Sequence, residues 1–194
     1  MTLDTMEQKI IEAAIACIEE FGFKDVTVRR IAAKAEVNSA AINYYFRSKE
    51  QLMEKVLEVT IGNAFDWSDL KDTESLPFRE QLFAIVDHLI EGALHYPEIT
   101  RAHFYKPMVE GIYDTRAVRE MNAFMETLAQ KFIQRGCKME MGELRYSINQ
   151  IFMAGMFTIG VVPNISRDFL GIDLKDRKER SEYLMQLINR LIDA

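Results

Sequence analysis

Apolar and polar positions follow helical spacing along most of this chain. Apolar residues recur every three or four positions, which gives an α-helix one buried face. The pattern indicates an all-α fold, with no convincing alternating segment of the kind that a half-buried strand needs. Polar breaks fall near residues 67–76 and 163–173. About nine helices are predicted, near residues 5–21, 27–34, 38–45, 49–65, 77–95, 98–112, 115–135, 141–161 and 176–193.

The stretch from Val26 to Leu52 has the most specific pattern. Two sets of apolar residues with helical spacing lie on either side of a short polar break: Val28, Ile31 and Ala32, then Ile42 and Phe46. Asn38 is a strong N-cap for the second helix, because its side chain can accept a hydrogen bond from an unpaired backbone N–H. Ser48 and Gln51 form a capping box that starts a third helix. The stretch therefore predicts two short helices, a tight turn and the start of another helix.

The second short helix keeps one face free of large apolar residues. That face carries Ser39, Ala40, Asn43 and Tyr44. A short helix with small residues at its N-terminus can enter the major groove of DNA. The stretch thus predicts a helix-turn-helix that binds DNA. The alternative is three packed helices of a larger bundle, which the apolar spacing alone would favour.

Charge is distributed unevenly along the chain. The whole chain is acidic, with 24 Lys and Arg residues against 30 Asp and Glu residues and a net charge of −6. Residues 24–50 instead hold six basic and three acidic residues, so this window is net +3. Such asymmetry suits a module that presents one face to phosphate, although ordinary solvated helices can carry similar charge.

This same stretch resembles the DNA-binding domain of the TetR family of bacterial transcriptional regulators. The resemblance covers about residues 5–55 and rests on the spacing of ten residues: Thr27, Ile31, Ala32, Ala35, Val37, Ile42, Tyr45, Phe46, Lys49 and Leu52. One position departs from the family pattern, because Glu36 stands in the turn where the family usually has glycine. A left-handed residue there would cost about 1 kcal/mol more than glycine.

The resemblance implies which residues contact DNA. They are Thr27, Arg29, Ser39, Ala40, Ala41, Asn43, Tyr44, Tyr45 and Lys49. Arg29 would reach the edge of the groove, and Asn43 could pair with adenine. Thr27, Tyr45 and Lys49 match positions that bind phosphates. Lys49 would also lie beside free N–H groups at a helix N-terminus, which favour anions.

The resemblance also implies two domains, a helix-turn-helix domain at 1–48 and a ligand-binding and dimerisation domain at 49–194. TetR-like proteins carry a small-molecule pocket in the second region. Its methionines and aromatic residues could line a soft cavity, although each fits an ordinary core as well. The residues expected to line a pocket are Phe65, Trp67, Phe83, His88, His103, Phe104, Met108, Met121, Phe124, Met125, Met153 and Phe157.

Two further features of the second region have competing interpretations. His88 and Glu91 share a helix face and could form half of a metal site, but no matching ligand pair occurs elsewhere. A surface or pocket histidine is therefore favoured, and no metal or cofactor is predicted. The last two long helices each carry an apolar face, with Tyr146, Ile148, Phe152 and Ile159 on one and Tyr183, Leu184, Leu187 and Leu191 on the other.

In TetR-like proteins the last two helices of each subunit form a four-helix bundle across a two-fold axis. The resemblance therefore implies a homodimer that binds a palindromic operator on double-stranded DNA. Intramolecular packing of both faces is the alternative. The expected function is a repressor that is released by a small, largely apolar ligand.

Two alternative functions stay open. One is a DNA-binding regulator that responds to a partner protein instead of a small molecule. The other is a metal-binding or enzymatic helical bundle, but the sequence offers no nucleophile–base pair, glycine-rich phosphate loop or complete ligand set. The protein is therefore not expected to be an enzyme.

The sequence also predicts a cytoplasmic protein that does not enter a membrane. No apolar run reaches transmembrane length, and Asp4 and Glu7 interrupt any signal peptide. Cys17 and Cys137 lie far apart, which favours reduced thiols over a disulfide. A redox switch through Cys137 is the less favoured alternative.

Overall fold

A computed structural model describes residues 5–155, 157 and 163–192. No strand occurs within those ranges, and the predicted all-α fold is confirmed. A 3₁₀ helix, Trp67–Ser75, lies where a polar break was expected, and a π-helical turn, Lys106–Glu110, follows the sixth α-helix. The α-helices are α1 Thr5–Phe21, α2 Val28–Lys34, α3 Ser39–Phe46, α4 Lys49–Ala64, α5 Phe78–His95, α6 Pro97–Tyr105, α7 Arg116–Gln134, α8 Met141–Gly155, α9 Pro163–Leu170 and α10 Arg177–Leu191.

Local side chains explain where several helices begin. The Thr27 hydroxyl accepts a hydrogen bond from the Arg30 backbone N–H at 3.3 Å at the start of α2. Asn38 Oδ1 accepts from the Ala41 N–H at 2.8 Å, which confirms Asn38 as the N-cap of α3. Ser48 Oγ accepts from the Gln51 N–H at 3.2 Å at the start of α4. These bonds satisfy N–H groups that the first helical turn leaves unpaired.

The chain forms two compact units, and each has its own core. The first unit contains the described residues up to Asn63 together with Tyr96–Tyr113, so it comprises α1–α4 and α6. Its core is formed by apolar residues of all five helices, among them Ile10, Ile18, Ile31, Ile42, Leu52, Val56 and Ile99. The second unit contains Ala64–His95 and the described residues from Asp114 onward. Its core includes Ile85, Leu128, Phe132, Phe152, Leu184 and Ile188.

These units do not divide at residues 48 and 49, where the domain boundary was expected. Leu52, Met53 and Val56 of α4 are buried in the first core, so α4 belongs with the helix-turn-helix. Ile99 of α6 is buried in the same core. The first unit is therefore discontinuous in sequence, because α5 separates its two segments.

A buried arginine ties three parts of the second unit together. Arg180 of α10 is 1% exposed, and its Nε donates to Asp87 Oδ1 of α5 at 3.1 Å. Its Nη2 donates to Glu91, also on α5, while Nη1 donates to the carbonyls of Leu174 and Lys175 before α10. A buried guanidinium needs hydrogen-bond partners, and these four bonds give each of its three nitrogens at least one acceptor. None of the helices in the described ranges has the length and apolar character to cross a membrane.

Candidate nucleic-acid interface

The turn between α2 and α3 has a left-handed residue at Glu36, with φ of 54°. The Glu36 N–H donates to the carbonyl of Ala33 at 3.2 Å, and the Val37 N–H donates to the carbonyl of Ala32 at 2.9 Å. This pair of bonds is a Schellman motif, which ends a helix with a left-handed residue that is usually glycine. The turn therefore keeps the geometry that glycine would give, with a glutamate in its place. Val37 packs against the first core and closes the turn.

The exposed face of α3 consists of Ser39, Ala40, Asn43 and Tyr44. The opposite side of α3 is fixed by Ile42 and Phe46, which are 1% and 5% exposed in the first core. Tyr44 is 82% exposed, so its ring extends from the unit. A rigid helix with one face of small and hydrogen-bonding side chains has the shape and chemistry to contact base edges.

Two tyrosines divide between this face and the core. The rings of Tyr44 and Tyr45 meet edge to face with centroids 5.3 Å apart. Tyr45 is half-buried and packs against the first core. Ala41 is half-buried too. Among the predicted DNA contacts, Ala41 and Tyr45 are therefore less accessible than the four residues of the exposed face.

Basic side chains near the helix-turn-helix differ in how strongly the protein itself holds them. Arg30 Nη1 donates to the carbonyl of Asp25 at 2.6 Å, and its guanidinium lies 4.2 Å from the centroid of the Phe21 ring. Lys34 Nζ lies 2.5 Å from Glu20 Oε2, and this hydrogen-bonded contact raises the pKa of Lys34. The side chains of Arg30 and Lys34 are therefore both bound to partners within the first unit.

Arg29 and Arg47 are exposed and have no side-chain hydrogen bond or ion pair to the part of the chain that the structure describes. Arg47 follows α3 and has a positive φ of 60°. Arg29 is among the DNA contacts expected from the sequence, whereas Arg47 is not. Its position between α3 and the N-terminus of α4 makes it a second cation available to an anion.

The N-terminus of α4 provides an electrostatic site for anions. The pKa of the Glu50 carboxyl is lowered there, mainly by a hydrogen bond from its own backbone N–H and then by one from Ser48. Such stabilisation of a carboxylate reflects the unpaired N–H groups of a first helical turn. Lys49 lies at the same terminus, half-buried, and its Nζ donates to the carbonyl of Lys24 at 3.5 Å. Thr27 is exposed, and its hydroxyl accepts from Arg30 while keeping its own hydrogen for another acceptor.

The residues expected to line a ligand pocket divide between the two units. In the second unit, Trp67 stacks on Phe124 with centroids 4.4 Å apart, and Phe65 lies 5.0 Å from the same ring. Phe152 lies 6.0 Å from Phe124, which is itself 3% exposed. We call Phe65, Trp67, Phe124 and Phe152 the aromatic cluster. Met121 is buried, whereas Phe83, Met125, Met153 and Phe157 are half-buried.

Two of the expected pocket residues are on the surface of their own unit. Met108 of the first unit is 60% exposed, and His88 of the second unit is exposed. Neither therefore lines an enclosed cavity within its unit. The sequence pattern could not separate them from buried residues, because Met108 lies in a π-helical turn after α6 and His88 lies on the polar side of α5.

His103 and Phe104 are buried in the first unit. His103 Nε2 lies 3.0 Å from the hydroxyl of Thr60 on α4, and that hydroxyl donates to the carbonyl of Val56 at 2.8 Å. The Nε2–H therefore donates to the Thr60 oxygen. Burial lowers the pKa of His103 to about 4, so the ring is neutral near pH 7. This histidine joins α4 to α6 by a neutral hydrogen bond.

The metal alternative gains no support from the geometry. Glu91 is paired with Arg180, and within the described residues no three His, Cys, Asp or Glu side chains are grouped as metal ligands.

The expected dimer residues also differ in accessibility. Ile148 and Phe152 are 1% exposed and Leu184 is fully buried, because α8 and α10 pack on α5 in the second core. These three therefore have almost no accessible surface to offer a second subunit, and the dimer interface itself stays a prediction. Tyr146 is 64% exposed, Tyr183, Leu187 and Leu191 are half-buried, and Ile159 lies outside the described residues.

Comparison with known families gives a match at the helix-turn-helix. A model of the family described as bacterial regulatory proteins, tetR family, matches residues 10–56. YttP, a probable HTH-type transcriptional regulator of Bacillus subtilis, is 30% identical over 126 residues, covering 59% of this chain and 55% of that protein. The HTH-type transcriptional regulator BetI of Pectobacterium carotovorum is 38% identical over 82 residues, covering 41% of this chain and 42% of BetI. The chain thus matches about half the length of these relatives.

Solved structures resemble the chain over nearly its full length. A TetR-family transcriptional regulator from Mesorhizobium loti superposes with a TM-score of 0.73 at 18% identity, covering 96% of this chain and 94% of that one. FadR from Bacillus subtilis, solved in complex with stearoyl-CoA, superposes with a TM-score of 0.66 at 17% identity, covering 96% and 99% of the two chains. At these identities the likeness shows a shared fold.

Proposed function

We propose that the chain is a TetR-like transcriptional regulator and that it acts as a ligand-released repressor. The match of the TetR family model to residues 10–56 and the fold shared with solved TetR-family structures support this proposal. In this proposal a homodimer in the bacterial cytoplasm binds a palindromic operator, and a small, largely apolar molecule weakens that binding. The observation that supports DNA binding best is the exposed face of α3, which is held rigidly from behind by Ile42 and Phe46.

The accessible side chains support a division between base contacts and phosphate contacts. Asn43 on the exposed face of α3 has the donor and acceptor that pair with an adenine edge, and Arg29 can bind guanine. Lys49 and Arg47 flank the N-terminus of α4, where a phosphate would meet unpaired N–H groups. Base contacts determine sequence preference, whereas phosphate contacts act on every sequence alike.

This division can be tested with duplexes that the purified protein selects from a random library. Fluorescence anisotropy then compares the wild type with Asn43→Ala and Lys49→Ala on the selected duplex and on single-base variants of it. Asn43→Ala should lose about 1–3 kcal/mol and relax preference at one base pair. Lys49→Ala should weaken binding to all duplexes equally and reduce the salt slope by about one unit per contact. Equal losses on every sequence for both variants would refute the division, and failure to select any duplex would refute DNA binding.

Release by a ligand is supported by the aromatic cluster and by the structural neighbour FadR, whose structure contains stearoyl-CoA. The cluster contains the only tryptophan of the chain, Trp67, so its fluorescence reports on this region alone. Long-chain acyl-CoA and fatty acids should change that fluorescence, with short-chain acyl-CoA as the control. A coupling of about 1–3 kcal/mol would lower operator affinity about 5- to 150-fold. A compound that binds tightly and leaves operator affinity unchanged would contradict release.

The dimer is supported by the exposed and half-buried residues of α8 and α10. Tyr146 is the most exposed of them, so Tyr146→Glu should shift the protein toward monomer at micromolar concentration. Sedimentation measures this shift, and Glu80→Gln at an exposed position of α5 is the control outside the proposed interface. A wild-type protein that remains monomeric at all concentrations would contradict the homodimer.

A further inference from the structure

Tyr105, the last residue of α6, faces the loop between α1 and α2 within the first unit. Lys24 of that loop places its Nζ 4.7 Å from the centroid of the Tyr105 ring. The neighbouring Phe23 ring lies 6.5 Å from the same ring, so two consecutive loop residues meet one tyrosine. A hydrogen bond with Tyr105 also raises the pKa of Lys24, which stays exposed. The ammonium is thus held at one place while remaining accessible to an external anion.

Lys24 also contributes its backbone to the predicted phosphate site. Its carbonyl accepts a hydrogen bond from Lys49 Nζ at 3.5 Å. One loop residue therefore presents its own ammonium and orients the ammonium at the N-terminus of α4. Lys24 was not among the DNA contacts expected from the sequence, because only the folded loop brings it to Lys49.

The position of Tyr105 is fixed by contacts at the other end of α6. Glu19 of α1 accepts hydrogen bonds from the backbone N–H groups of Ile99 and Glu98 at 2.8 and 3.2 Å. Tyr96, the N-cap residue before α6, makes no side-chain capping hydrogen bond, so Glu19 satisfies donors that the helix itself leaves unpaired. With Ile99 buried in the first core, α6 is held against α1 at its beginning and meets the loop at its end.

We propose that Tyr105 is a positioning residue for DNA-backbone binding, which holds Lys24 so that Lys24 and Lys49 together bind phosphate. The inference rests on the proposed function, because it assumes that the first unit binds DNA. A free lysine side chain has many rotamers, and ordering it on binding costs free energy. An ammonium that already lies over an aromatic ring has lost much of that freedom, and it keeps donors for a phosphate.

The test measures binding of a 30-base-pair duplex of random sequence by anisotropy between 50 and 300 mM KCl. The variants are Lys24→Ala, Tyr105→Leu, Tyr105→Phe and the double variant Lys24→Ala/Tyr105→Leu. Lys106→Ala is the matched control, because Lys106 is an exposed cation next to Tyr105 in the same unit. Thermal unfolding of each variant shows whether the fold is retained.

The expected result follows from one phosphate contact per subunit. Lys24→Ala should reduce the salt slope by about 0.9 per contact, or about 1.8 for the homodimer, and should weaken binding roughly five- to tenfold per contact at 0.1 M salt. Tyr105→Leu should also weaken binding, but it should add little once Lys24 is alanine. Tyr105→Phe keeps the ring face but loses the hydroxyl that hydrogen-bonds Lys24, so its binding should fall between that of the wild type and that of Tyr105→Leu. Lys106→Ala should keep the wild-type slope.

Other outcomes overturn the inference. An unchanged slope for Lys24→Ala refutes it while leaving DNA binding intact, and this variant changes only an exposed loop side chain. Losses from Lys24→Ala and Tyr105→Leu that simply add would show that Tyr105 acts independently of Lys24. A wild-type protein that binds no duplex at 50 mM KCl would instead refute the proposed function, and the inference with it.

Discussion

Replacing Glu36 by glycine should stabilise the first unit, because Glu36 has φ of 54° in the turn before α3. A left-handed conformation costs a residue with a Cβ roughly 1–2 kcal/mol. Glycine removes this cost, but the greater conformational freedom of glycine in the unfolded chain lowers the stability of the folded state by roughly 0.5–1 kcal/mol. The side chain also forms an ion pair with Lys9 at 3.7 Å, but Glu36 is 84% exposed, so losing the pair costs about 0–1 kcal/mol.

Alanine at the same position separates these contributions. Glu36→Ala removes the ion pair and keeps the left-handed strain, whereas Glu36→Gly removes both. Glu36→Gly should therefore be more stable than Glu36→Ala by about 1 kcal/mol, and more stable than the wild type by a smaller amount. Urea unfolding followed by circular dichroism measures the free energies of unfolding, and equal slopes with denaturant would show that the unfolded states are comparable.

A second helix end provides the reverse experiment. Gly136 follows α7 with φ of 91°, and its N–H donates to the carbonyl of Ile133 at 3.0 Å while Cys137 bonds back to Phe132. A Cβ added at Gly136 would meet no atom within 4 Å, so Gly136→Ala tests backbone strain without steric contact. It should destabilise the second unit by about 1 kcal/mol. If Glu36→Gly is no more stable than Glu36→Ala while Gly136→Ala is destabilised, the strain assigned to Glu36 is wrong.

Three further predictions concern buried polar contacts, and urea unfolding checks each of them. The pKa of His103 in the folded state lies below its unfolded value of about 6.5, so the unfolded state binds a proton first as the pH falls. The free energy of unfolding should therefore fall by roughly 2 kcal/mol between pH 7 and pH 5. His103→Gln should lack this component, and an equal pH dependence in both proteins would contradict it. Arg180→Met should cost about 3–5 kcal/mol, because the buried Asp87 then keeps only the exposed Arg177, 4.0 Å away, as an ion-pair partner. Adding Asp87→Leu should recover part of that loss, and no recovery would argue against the pair. Glu19→Ala should cost about 1 kcal/mol by uncapping α6, whereas Glu19→Gln should keep part of the cap; identical losses would argue against the cap.

The helix-turn-helix could be predicted from sequence because its determinants are local. Asn38 caps α3 three residues before its partner Ala41, and Ile42 and Phe46 lie one helical turn apart. Such features depend on neighbours within a few positions, so a pattern of residue types is enough to find them. The left-handed turn at Glu36 is instead implied by the family resemblance, in which glycine usually occupies that position.

The remaining features depend on partners that are distant in sequence. Arg180 has the helical spacing of a solvated side chain, and only its pairing with Asp87, 93 residues away, explains its burial. Glu19 also has the spacing of a solvated side chain on α1, yet the N–H groups that it binds are 79 and 80 residues away on α6. The surface positions of His88 and Met108 likewise depend on how the helices of their own units pack. Helical periodicity predicts a buried stripe but does not specify which helix covers it.

The discontinuity of the first unit bears on how the protein folds during synthesis. The ribosome makes α1–α4 first, but Ile99 and the two N–H groups that bind Glu19 emerge only with α6. At synthesis rates of about 5–20 residues per second, the stretch from Asn63 to Tyr113 takes roughly 3–10 s. During that interval the nascent DNA-binding unit has an incomplete core, and the Glu19 carboxylate lacks the α6 N–H groups that it binds in the folded protein. The order of synthesis therefore delays a finished DNA-binding surface until α5, a helix of the other unit, has also been made.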